Sequence, residues 1–177
     1  SGAGKSAMEE LAKQTADLLS AREITPEAFS RQIAFNAIPQ IDVFMDNDYT
    51  KEEMKMSWET KKIMGDDTIL VNPTAVRVPV FFGHGEAIHI ETRQPIDAEE
   101  VKQLLANAPG VKVYETREEF PTQVSSASGN DEVHVGRIRN DITHPNGINM
   151  WVVSDNIRKG AATNSVQIAE TLVRDYL

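Results

Sequence analysis

Apolar residues recur at helical spacing from Lys5 to Leu19, at Ala7, Met8, Leu11, Ala12, Leu18 and Leu19. The pattern predicts an amphipathic helix with Ser6 as its N-cap and Glu9 and Glu10 in its first turn. The stretch REITPEAFSRQIAFNAIPQID has no sustained period and carries Pro26 and Pro39, so it reads as loop with a short extended piece. A second helix is expected from an N-cap at Thr50 through EEMKMSWETKKIM to about Met64, ended by Gly65. TILVNPTAVRVPVFFGHGEAIHIET is rich in β-branched and aromatic residues and predicts at least two strands, broken around Pro73 and Gly83-His84-Gly85. Pro95-Ile96-Asp97 leads into a helix over AEEVKQLLANA, closed by Pro109-Gly110, and VKVYE is a short strand. EEFPTQVSSASGNDE is polar and Ser/Gly-rich, so a long surface loop is expected. VHVGRIRND and INMWVVSD read as strands, with the Asn-Gly hairpin signal carried by His144-Pro145-Asn146-Gly147 between them, and the last helix takes in Ala161 to about Tyr176.

This order predicts an α+β fold with a mixed, largely antiparallel sheet and helices on one face. No internal repeat and no dividing linker is visible, so residues 1–177 are expected to form a single domain.

Composition narrows the function classes. A net charge of −9 with no basic run argues against a nucleic-acid partner. Lys51, Lys55, Lys61 and Lys62 alternate with Glu52, Glu53 and Glu59, as on a solvated helix face. No apolar run reaches the roughly 18 residues that a membrane span needs, and the N-terminus shows no signal-peptide pattern, so a soluble, cytoplasmic protein without membrane attachment is expected. There is no cysteine, which excludes disulfides and thiolate chemistry from these residues alone.

Three stretches invite chemical readings. SGAGKS ends in the Gly-Lys-Ser of a phosphate-binding loop, but such a loop also needs an earlier glycine and a buried strand feeding it, which these 177 residues do not supply, so no nucleotide cradle is expected from them. With no methionine in first place, a processed or truncated piece of a larger protein is expected. RVPVFFGHGEAIHIE, Arg77 to Glu91, places an arginine on a strand and a glycine-flanked histidine, His84, at the strand's break, where its ring could meet a ligand. Spacing alone favours the plainer reading, in which Arg77 and His84 are a surface ion-pair donor and a turn residue. His84-Gly85-Glu86 also matches half of a zinc deaminase signature, but the two cysteines are missing and alternate strand residues face opposite sides, so no metal is expected. Glu52 and Lys55 share a helix face as an (i, i+3) pair, which by itself suggests only a solubilising ion pair. His89, His134 and His144 read as structural.

Taken together, SGAGKSAMEEL, AFNAIPQID, the EEMKMSWETKKIMG helix, RVPVFFGHGEAIHIET and DNIRKGAATNSVQIAE resemble the aspartate-β-semialdehyde dehydrogenases, specifically their C-terminal catalytic and dimerisation domain. RVPVFFGH is the most specific of these stretches. The resemblance implies a glyceraldehyde-3-phosphate-dehydrogenase-like C-terminal domain, with a Rossmann domain, a nucleophilic cysteine and a substrate-positioning glutamine preceding Ser1. The last helix would pack back toward that Rossmann domain. It implies reduction of L-aspartyl 4-phosphate with NADPH through a cysteine thioacyl intermediate, a step toward lysine, methionine and threonine.

Residue by residue, the resemblance makes Arg77 the fork that grips the substrate α-carboxylate and His84 the acid/base group. Glu52 becomes the partner of the substrate amino group and Lys55 a phosphate-holding cation. Ser1, Gly2 and Asn156 become contacts to NADP. It implies a homodimer through the sheet face, for which FF, AIHI and MWVV supply apolar material. On this reading the chain alone is inactive. The competing reading is a non-catalytic α+β dimerisation or amino-acid-binding module.

Overall fold

The computed structural model describes residues 1–177, which form two compact units: Ala3–Pro79, and Val80–Leu177 together with Ser1–Gly2. The two units meet in sequence at Pro79-Val80, with no glycine- or serine-rich linker at that point.

In the first unit, α1 spans Lys5–Leu19 and buries Ala7, Leu11 and Gln14. Its N-cap is Gly4, not Ser6: the glycine accepts a positive φ of 89°, the chain turns into the helix two residues early, and Glu9 and Glu10 fall outside the first turn. Leu11 packs with Ile33, Ala34 and Ile38, flanked by Leu18 and Phe29. Gln14, buried among them, accepts from the Ile33 and Ala34 N–H groups at 2.9 and 3.2 Å, which fixes an otherwise irregular segment.

Helix α2 spans Lys51–Met64, with Gly65 in the left-handed conformation at its end as expected. Its start is a full capping box. Thr50 Oγ1 accepts from Glu53 N, and the Glu53 carboxylate accepts from Thr50 N at 2.7 Å. Glu53 is therefore not on a solvated face; it is buried, and its other oxygen accepts from Ala75 N at 2.8 Å.

The second unit holds a four-stranded sheet of order β1-β4-β3-β2, with β1 His84–Glu91, β2 Val111–Val113, β3 Val133–Asn140 and β4 Gly147–Ser154. β4 pairs antiparallel with β1 and β3, and β2 pairs parallel with β3. The fold is α+β with a mixed, largely antiparallel sheet. α3, Ala98–Ala106, capped by Asp97, covers one face through Ala98, Val101 and Leu105 against Val135, Ile138 and Ile148. α4, Thr163–Tyr176, follows a π-helical turn at Arg158–Ala162 and buries no residue.

Three expectations are corrected. Only one strand forms in the 68–92 stretch. Arg77 lies in an isolated antiparallel bridge with Ile38, because Pro73 and Pro79 deny the flanking backbone its donors. His84 is accordingly the first residue of β1, not its break. The segment 118–132 is not simply surface loop: Gln123–Ala127 forms a π-helical turn, capped by Thr122, with Pro121, Ser126 and Ala127 buried. The β3–β4 hairpin exists and turns at His144-Pro145-Asn146-Gly147, where Gly147 N donates to His144 O at 3.0 Å, but within a longer loop, Asp141–Asn146, rather than as a two-residue Asn-Gly turn. Asp141 closes it by accepting from Thr143 N at 2.6 Å while its own N–H bonds Gly147 O at 2.7 Å.

Candidate active site

In the second unit, residues far apart in sequence converge on Gly83-His84. Ser1 Oγ donates to Gly83 O at 2.6 Å, and Ser1 N donates to Val80 O at 2.7 Å. Gly83 N donates to Asn156 Oδ1 at 3.0 Å. Gly2 has φ +78°, and a Cβ there would stand 3.0 Å from His84 Nε2, so only glycine lets the chain lie against the imidazole. Ser1, Gly2, His84 and Asn156 are thus brought to one place. His84 is exposed, and the Asn156 Nδ2 group has no protein acceptor.

A buried carboxylate sets the Asn156 position. Asp155 accepts from Gly129 N and Ile157 N at 2.8 Å and from Arg158 N at 3.0 Å. Burial pushes its carboxyl upward, but the N–H groups of Arg158, Gly129 and Ile157 outweigh this and hold it below the usual carboxylate range. The ionised Asp155 thereby fixes the turn that presents Asn156.

The flanking glycines act differently from the sequence reading. A Cβ at Gly85 would meet Gln123 Nε2 at 2.6 Å and Trp151 Cζ2 at 2.7 Å. Gly85 therefore makes room for the π-helical turn and the Trp151 ring on the sheet, rather than for a ligand at His84.

In the first unit, Arg77 is pinned by its backbone, with reciprocal N–H to O bonds to Ile38 of 2.9 Å each. Its guanidinium lies 5.7 Å from the centre of the Phe29 ring. It lines a cleft of about 150 Å³ with Phe29, Ser30, Gln40 and Asp42, and forms no ion pair with Asp42 or any other carboxylate. Stacking on one face leaves the in-plane N–H fork available, which is the geometry that bidentate carboxylate binding requires.

Glu52 and Lys55 pair at 3.1 Å on α2, both half-buried. The hydrogen bond and charge of Glu52 hold Lys55 above the ordinary lysine range against partial desolvation, with Glu59 and Asp42 adding to the effect. Lys55 is therefore a fixed cation, suited to holding an anion and not to acting as a base. Asp42, which lines the Arg77 cleft, also adds to the negative field on Lys55.

Sequence reasoning missed Phe29, Gln40, Asp42 and Glu53. Glu53 had a readable signal, Thr50-x-x-Glu53, the capping-box spacing. The others become neighbours of Arg77 only through the Ile38 bridge, which no local pattern announces.

The chain matches the family described as "Semialdehyde dehydrogenase, dimerisation domain" over residues 1–159. It is 65% identical over 176 residues to an aspartate-semialdehyde dehydrogenase of Shewanella sp. (strain DB6705), covering 99% of this chain and 52% of that protein. Among solved structures, it is similar to aspartate semialdehyde dehydrogenase II complexed with ASA from Vibrio cholerae. There the TM-score is 0.95 at 63% identity, over 99% of this chain and 52% of that one. A more distant likeness is aspartate semialdehyde dehydrogenase with NADP from Candida albicans, with TM-score 0.65 and 29% identity over 80% of this chain and 45% of that one. The chain spans about half the length of the curated relatives it matches.

Proposed function

Because the chain belongs to the semialdehyde dehydrogenase family and matches its dimerisation domain, we propose that it is the C-terminal catalytic part of an aspartate-semialdehyde dehydrogenase acting in amino-acid biosynthesis. The reaction is reduction of L-aspartyl 4-phosphate by NADPH to L-aspartate 4-semialdehyde and phosphate, by way of a cysteine thioacyl enzyme. The sequence contains no cysteine, so the thiol comes from outside these 177 residues, and the chain alone is inactive. The observation that carries this reading is the convergence of Ser1, Gly2 and Asn156 on Gly83-His84, which no local feature of the fold requires.

In this reading Arg77 orients the substrate by two parallel hydrogen bonds to its α-carboxylate. Glu52 receives the substrate amino group, and Lys55 holds the phosphate. His84 delivers or accepts a proton at the reacting oxygen, a role open to an exposed imidazole near neutrality. Gly2, without a Cβ, and the unpaired Asn156 Nδ2 fit the flat amide end of NADP. NADPH, when bound, supplies the hydride. Partners follow from the same reading. The chain forms a homodimer through the sheet, with Phe81, Phe82 and Ile90 still exposed as apolar material, whereas Val152 and Val153 are taken up by the fold. The apolar side of α4, with Val166, Leu172 and Val173 exposed, packs on the Rossmann part of the protein. No helix is long and apolar enough to cross a membrane, and a cytoplasmic location is part of the proposal.

The test is phosphate-dependent reduction of NADP+ by aspartate semialdehyde with the purified full-length protein. Turnover that requires phosphate supports the reading, and its absence favours the non-catalytic module.

A further inference from the structure

A second cleft, also of about 150 Å³, opens in the other unit where α3, the chain after β2 and the middle of β3 meet. Four of its eight lining residues are cations, Lys102, Arg117, Arg137 and Arg139, against one carboxylate, Glu115. In a chain of net charge −9 this is a local reversal of sign. Lys102 and Arg117 are matched by Glu99 and Glu118 at 2.6 and 2.7 Å. Arg137 and Arg139 have no carboxylate within ion-pair distance, and Arg139 is held toward Arg137 by donating to the Arg137 carbonyl at 2.8 Å.

A break in strand register creates this pair. Between Gly136 and Arg139 β3 carries one residue more than β4, a β-bulge. Strict alternation from the buried Val135 would turn Arg137 into the core under α3 and Ile138 out. The extra residue reverses this: Ile138 joins the core and both arginines line the cleft. The reversal holds Arg137 at φ +57°, a conformation that a side chain with a Cβ disfavours. Two guanidiniums that line one cleft, neither in an ion pair, repel, and a shared oxyanion removes the repulsion while accepting their planar N–H forks.

We propose that the Lys102–Arg117–Arg137–Arg139 cleft binds a phosphate-type oxyanion, either inorganic phosphate or the phosphoryl group of a small metabolite. The site is separate from the phosphate position assigned to Lys55 and does not depend on that assignment.

The experiment is calorimetric titration of the full-length protein with inorganic phosphate and, separately, with phenyl phosphate at low ionic strength. Wild type, Arg137→Gly, Arg139→Ser and Lys55→Ala are compared. Glycine relieves the positive φ, so Arg137→Gly keeps or raises Tm while losing a guanidinium. A binding event weakened at least 10-fold in Arg137→Gly and Arg139→Ser, and retained in Lys55→Ala, supports the site. Binding to phosphate alone or to the ester alone then tells which source supplies the ligand. Isotherms of Arg137→Gly and Arg139→Ser that match wild type, or no event in wild type beyond the one that Lys55→Ala removes, overturn it.

Discussion

Glu53→Ala perturbs the joint between the two elements that carry the substrate-side residues. The Glu53 carboxylate accepts from Thr50 N at the start of α2 and from Ala75 N two residues before Arg77. Thr50 is 1% exposed, Ala75 6% and Glu53 8%, so alanine leaves two buried N–H groups without acceptors. Hydrogen bonds to a charged acceptor contribute about 1.5–3 kcal/mol each, so the loss of two should be about 3–6 kcal/mol. At about 2–4 °C per kcal/mol, that is a fall of about 6–24 °C in the Tm of the transition in which these residues unfold. Glu53→Gln keeps one acceptor and places an NH2 against the other N–H, and should lose about half as much. The pH dependence follows from the same contacts. The Thr50 and then the Ala75 N–H groups hold the Glu53 carboxyl below its ordinary range. Its contribution is therefore complete above the unfolded pKa of about 4.3 and is lost as the pH falls through the lower folded value. The assay is thermal unfolding of the full-length variants at pH 7 and pH 4, with hydrogen exchange read at the Thr50 and Ala75 amides. A loss below about 1 kcal/mol for Glu53→Ala, or unchanged protection at both amides, would refute the joint.

Phe29→Leu removes the ring beneath Arg77, and an interaction of about 0.5–2 kcal/mol should appear as a rise in KM for aspartate semialdehyde of about 2- to 30-fold with kcat little changed, while Phe29→Tyr stays near wild type. Gly85→Ala drives a Cβ into Gln123 and Trp151 and should cost about 1–3 kcal/mol by urea unfolding, with a change in Trp fluorescence. His134 is buried with no partner for Nε2, and burial holds its pKa below the ordinary histidine value. The neutral form is favoured in the folded state, so stability is full above about pH 6.5 and declines below it, a slope that His134→Phe should remove. Sedimentation of the full-length protein at micromolar concentration should give a dimer mass, and a monomer across that range would contradict the proposed sheet interface.

Helices α1 and α2 and strands β1, β3 and β4 were legible in the sequence because each is specified locally: apolar spacing, the Thr50 cap, the Gly65 stop and alternation in AIHI. The π-helical turn at Gln123–Ala127 was not, since Ser and Gly are common in loops and its stability comes from packing against the sheet, with Gly83 and Gly85 leaving the space. The bulge at Arg137 was missed although VHVGRIRN carries its sign: apolar residues alternate at Val133 and Val135 but then skip to Ile138, and a strand buries all three on one face only with an extra residue between Gly136 and Arg139. For the candidate site, RVPVFFGH pointed to Arg77 and His84 through resemblance, while spacing left both open to bland roles. What gives them context is long-range: the Ile38 bridge that brings Phe29 under Arg77, and the bonds from Ser1 and Asn156 to Gly83.

Steady-state kinetics of Arg77→Lys and His84→Asn in the full-length protein, with folding checked by circular dichroism, tests the assigned roles together. Arg77→Lys keeps the charge but loses the fork, so kcat/KM should fall by about 10² or more, with both constants affected. His84→Asn should lower kcat by about 10² to 10⁴ and leave KM within a few-fold, because a proton-transfer group acts mainly in the transition state. Near wild-type kinetics for Arg77→Lys, or a His84→Asn effect confined to KM, would contradict the assignment of these two residues to carboxylate binding and proton transfer.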